Sequence, residues 1–105
     1  MSVAIDNWQT VTVASSATKS AEVDLGGNCD TVQVIIPTID SGTVSIEVAT
    51  ESGGTFYTLG NGQTTKSGTG NYATEFRLGG YQFIKIVCSA TQTATRSFLV
   101  RGRRI

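Results

Sequence analysis

No window of this 105-residue chain repeats its apolar residues at the helical period of 3.6 for long enough to build a packed helix. Short segments instead alternate apolar and polar side chains at the period of two that a strand requires. The chain must therefore bury its apolar residues with strands. The alternating segments are Trp8 to Val13, Ala21 to Leu25, Thr31 to Ile36, Thr43 to Ala49, Thr55 to Leu59, Asn71 to Leu78, Gln82 to Cys88 and Arg96 to Arg101. Clusters of Gly, Ser, Asn and Asp such as "LGGNCD", "PTIDSG" and "ESGGT" bound each of them. About eight short strands at this spacing predict an all-β, jelly-roll-like, two-sheet β-sandwich. The length supports one domain over residues 1–105 with a single core of modest size.

Alternation also assigns faces, because successive side chains of a strand point to opposite sides. In "TVSIEV", Val44, Ile46 and Val48 share the core face and Ser45 and Glu47 the wet one. In "QFIKIVC", Ile84, Ile86 and Cys88 share one side, while Phe83 and Val87 flank Lys85 on the other. A strand apolar on both faces is either central in its sheet or covered outside by a neighbouring chain. Sixteen threonines and ten serines suit half-exposed strands and the loops between them. "GNGQTTKSGTGN", from Gly60 to Asn71, reads as a flexible loop with no phosphate-cradling motif, which leaves Lys66 a solvated charge.

Chemistry-bearing residues are sparse. The chain has no histidine, which removes the usual general base and the common catalytic triads, and its two cysteines are too few for a zinc site. Asp24, Asp30, Glu47 and Glu75 fall in turns or on wet faces, where they serve solubility. The expectation is a non-enzyme with no cofactor and no metal. Eight basic residues balance eight acidic ones, so the molecule as a whole has no electrostatic reason to seek nucleic acid or anionic lipid. No stretch approaches a membrane span, and "MSVAIDNWQ" lacks the charged start and apolar run of a signal peptide; both point to synthesis in the cytoplasm, with Cys29 and Cys88 as reduced thiols. The aromatic residues Trp8, Tyr57 and Tyr81 are the candidates for a small-ligand or glycan site.

The succession "WQTVTV", "AEVDLGG", "ESGGTFYTLG" and "LGGYQFIKIVCSATQTATRSFLVRGRR" resembles a family of small β-sandwich proteins encoded among the virion genes of tailed bacteriophages and prophages. The matching features are Trp8-Gln9, Val23 to Gly27, Gly53 to Tyr57, Tyr81 to Ile86, Gln92 to Ala94, and Arg96 to Arg103, with a middle shorter than in the longer relatives. The resemblance implies a virion structural protein. Its first form is a decoration or cement protein that binds the major capsid protein on the outside of the head shell and self-associates as a trimer or dimer. The alternatives are a tail or head-fibre component that recognises carbohydrate or receptor, and a neck or tail connector subunit.

Charge is segregated along the chain. Residues 95–105 hold four arginines and no acid, against four basic and eight acidic residues elsewhere. Arginine is enriched at protein interfaces because its planar fork pairs with carboxylates. Arg101, Arg103 and Arg104 are the expected partner-binding residues, pairing with acids of the major capsid protein or of a neighbouring copy, with Phe83 and Val87 added where a neighbouring chain covers that strand. The alternative is a solvated C-terminal tail that keeps a strand edge from aggregating. Four arginines without interleaved aromatics are a poor nucleic-acid site.

Overall fold

The structure, a computed structural model, describes residues 7–60 and 63–104, and is all-β there. Residues 1–6, positions 61–62 of the Gly60–Asn71 loop, and residue 105 lie outside the described residues. Six strands form one antiparallel sheet: β1 (Gln9–Val13), β2 (Val23–Gly42), β3 (Val44–Ala49), β4 (Tyr57–Thr58), β5 (Gly68–Cys88) and β6 (Arg96–Arg103). Their order across the sheet is β1-β6-β2-β5-β3-β4.

Eight expected strands become six because two pairs fuse. Ala21–Leu25, from Val23 onward, and Thr31–Ile36 lie in β2, while Asn71–Leu78 and Gln82–Cys88 lie in β5. The glycine clusters between them read as turns in the sequence, but they bend the strand without ending its pairing. Gly26, Gly79 and Gly80 take φ of 90°, 76° and 106°, values that favour glycine, and the β2–β5 register shifts between Asp24 and Cys29. A straight strand of that length would span roughly 66 Å at about 3.3 Å per residue, yet the longest dimension of the molecule is 31 Å. The long strands must fold over.

The bends divide the sheet into two halves that face one another across one core, a sandwich whose layers share β2 and β5. The first half is β1, β6, the later part of β2 and the earlier part of β5. It supplies Val11, Val13, Val32, Val34, Phe76, Phe98 and Val100. The second half is the start of β2, the later part of β5, β3 and β4. It supplies Val23, Leu25, Val44, Ile46, Val48, Ile84 and Ile86. Cys29 and Cys88 are buried thiols in the same cluster, and burial pushes the Cys88 pKa up. β6 carries its arginines directly over this core only because Gly102 has no side chain. A Cβ there would stand 2.5 Å from Cys29 Sγ and 3.0 Å from Leu25 Cβ.

One of two open readings is met and two local expectations change. The two-sided apolar strand "QFIKIVC" is central, between β2 and β3, and Lys85 on its outer face lies 4.6 Å from the centre of the Phe56 ring. Glu47, expected on a wet face, is only 9% exposed, because Lys19 bridges to it across β5 at 2.8 Å. The Gly60–Asn71 stretch is partly strapped down: the Thr65 N–H donates to Val44 O at 3.0 Å, the Thr65 hydroxyl accepts from Val44 N–H, and the Gln63 side chain makes two bonds with the Arg77 backbone.

The loop entering β6 is clamped by Gln92 and Asp40. Gln92 is 1% exposed; its amide donates to Ala90 O at 2.9 Å, while its oxygen accepts from Asp40 N–H at 3.0 Å and Arg96 Nε–H at 3.3 Å. The Asp40 carboxylate accepts from Thr93 N–H at 2.9 Å and from Arg96 at 3.0 Å. These bonds, the Thr93 backbone first, hold its pKa below the ordinary 3.8. A depressed pKa means that the folded state gains stability above the unfolded pKa and loses it as pH falls through the folded one. The melting temperature should therefore fall less steeply between about pH 5 and pH 3 in Asp40→Asn than in the parent chain, as followed by circular dichroism. Parallel curves would mean that the clamp contributes nothing to acid sensitivity.

Candidate docking face

The outer face of the first half-sheet is set by the same alternation that builds the core. With Val32, Val34 and Ile36 turned inward, Gln33 and Ile35 turn outward, and Thr31 takes the same side but is covered there, 3% exposed. Leu99, Arg101 and Arg103 do the same on β6, and Ala73, Glu75 and Arg77 on β5. The register aligns these residues in rows. Leu99, Ile35 and Ala73 form an apolar row that Thr10 continues at the β1 edge. Arg101, Gln33 and Glu75 form a polar row next to it. Arg103, Thr31 and Arg77 form a third, basic row.

Ile35 and Leu99 are each 40% exposed and Trp8 is 42% exposed, so the apolar row meets solvent where a single-domain sandwich would ordinarily place polar side chains. A shallow groove of about 430 Å³ runs along it, lined by Trp8, Gln33, Ile35, Ala73 and Glu75 among others. Its polar border is held in place within the chain. Arg101 donates from Nε to the Gln33 side-chain oxygen at 2.6 Å, and its guanidinium stands 4.7 Å from the centre of the Trp8 ring. Gln33 reaches Glu75 in a long contact of 3.4 Å. Arg104 donates from Nε to Asn28 O at 2.8 Å, and with Arg103, Thr31 and Glu75 it lines a second hollow of about 250 Å³. Arg103 and Arg104 thus share a hollow with Glu75, and Arg101 and Arg77 stand in the polar and basic rows of the same face.

The structure brings together Arg101, Arg103, Arg104 and Trp8 from the expected set and separates the others. Phe83 and Val87 are half-buried on the outer face of the opposite half, paired with Ala49 and Ser45. Tyr57 stands exposed on the β4 edge. Tyr81 lies at the bend, in a cleft of about 240 Å³ with Phe83, Asn28 and Gly80. The three aromatics occupy three separate places. Ile35, Leu99, Ala73 and Gln33 were not among the expected site residues. The signal for Ile35 and Leu99 is the break in alternation within "VQVIIP" and "SFLV", where an apolar residue sits outward between two inward ones; Gln33 and Ala73 carry no such signal.

Neither a protein-family model nor a curated protein matches the sequence. Among solved structures, the SPBc2 prophage-derived protein YomS is similar over 93% of this chain and 96% of its own, with a TM-score of 0.56 and 15% identity. At that identity the two share a fold over nearly their whole lengths. The Yersinia pseudotuberculosis-derived mitogen aligns over 94% of this chain and 85% of its own, with a TM-score of 0.43 and 8% identity.

Proposed function

We propose that this chain is a non-enzymatic structural protein of a bacteriophage virion, a decoration protein that binds the major capsid protein on the outside of the head shell. The observation that carries this reading is the docking face, an exposed apolar row bordered by Arg101, Arg103, Arg104 and Arg77. A cement protein holds shell subunits by buried area and charge pairing, and its binding surface needs an apolar centre with a polar rim. The whole-length likeness to the fold of a prophage-derived protein supports the same reading.

The arginines set the expected partner as an acidic protein surface. Arg101 already covers a face of the Trp8 ring, which obstructs stacking of a base there, and Glu75 repels phosphate. Arg101 and Arg104 each donate from Nε within the chain, and the terminal amino groups of a guanidinium can pair with a carboxylate. Replacing Arg101, Arg103 and Arg104 together by glutamine should lower occupancy on head shells stripped of the native protein by at least about tenfold at physiological salt. The circular dichroism spectrum should not change. Equal occupancy of parent and variant would remove the arginines from the interface.

A further inference from the structure

The two ends of the sheet are finished differently. β4 is two residues long, the kind of short edge that discourages further pairing. β1 offers five residues, Gln9–Val13, with no charge, no proline and four β-branched side chains. It pairs with β6 on one side and ends the strand order on the other. Among the described residues, such an edge lacks the devices by which sheets avoid a further strand.

We propose that β1 pairs antiparallel with β1 of a second copy across a two-fold axis at Val11. A strand that extends this sheet must be apolar toward the core and able to stand in solvent outward, in register, and β1 satisfies that for itself. Its centre, Thr10-Val11-Thr12, reads the same in both directions. Val11, 6% exposed, meets Val11 of the second copy at the rim of the core. Thr10 and Thr12, exposed on the outer face, meet Thr12 and Thr10, a favourable cross-strand pair. The same register sets Trp8 against the exposed, small Ala14 of the second copy. A formal charge of zero leaves no net repulsion between copies.

One edge used by both partners closes the assembly at two and forms no fibre. The two four-stranded half-sheets become one of eight strands, with both docking faces on the same side. The inference does not depend on the virion reading, since a dimer with no affinity for shells would satisfy it.

Sedimentation equilibrium of the full chain should give twice the chain mass of 11.0 kDa. Thr10→Lys combined with Thr12→Lys places like charges opposite one another twice and should give the 11.0 kDa species with an unchanged circular dichroism spectrum. Thr58→Lys on the β4 edge should leave the dimer intact. In the parent chain, hydrogen-exchange protection of the β1 amides should rise with protein concentration, which tests the same contact without a mutation. A parent monomer at every concentration, a trimer, a dimer that survives the two lysines, or protection independent of concentration would each overturn the proposal. So would a monomer whose β1 pairs only with a strand of another protein.

Discussion

Replacing Gln92 with alanine is expected to destabilise the domain by about 2–4 kcal/mol, a loss of roughly 10–20 °C in melting temperature. The side chain is 1% exposed and makes three hydrogen bonds that no water can easily replace. Its removal leaves Ala90 O and Asp40 N–H without their buried partner and opens a cavity at the rim of the core. It also loosens Arg96, whose remaining anchor is the Asp40 carboxylate at 3.0 Å. Thermal melts of the purified variant check this directly. A shift of only a degree or two would mean that the loop repacks, and that Gln92 is not the clamp.

The second large effect concerns attachment. Ile35→Glu together with Leu99→Glu should abolish binding to stripped head shells, a loss of at least about a hundredfold, while the isolated domain keeps its fold. Both side chains stand outward and are 40% exposed, so a carboxylate at either position is solvated in the free protein. On a shell the same carboxylates would be buried against an acidic partner and repelled by it. The comparison with the arginine variant separates the two parts of the face. Loss of the arginines should act mainly through association and weaken as salt rises, whereas loss of the apolar row should persist at high salt. Equal shell binding by the doubly substituted chain and its parent would show that this face is not the interface.

The period-two pattern of "TVSIEV" made the class and the core face of β3 legible, with Val44, Ile46 and Val48 all buried. The fusion of strands was not legible, because a glycine at positive φ looks alike in sequence whether the chain turns back or only bends; Gly79 and Gly80 keep β5 running through "LGG". Glu47 looked wet because alternation reports the strand's own faces and cannot see Lys19 arriving from another segment. Arg101, Arg103 and Arg104 were visible as a charge run, but Phe83 and Val87 shared no face with them, since only the fold at the bend decides which outer surface each half presents. Gln92 drew notice through the resemblance, and its role as a buried clamp depended on contacts with Asp40, 52 residues away in sequence. Ile35 and Leu99 carry the same two-sided pattern as "QFIKIVC", since each is an outward apolar residue between two apolar core residues.

The most direct test of the central claim is the copy number of this protein in purified virions, measured by quantitative mass spectrometry against the major capsid protein. A decoration protein docked through the Trp8, Ile35 and Leu99 face should be present at one copy per one to a few capsid subunits. Its absence from particles, or a count nearer about a dozen per particle as expected of a ring at the neck or tail, would contradict the assignment to the head surface.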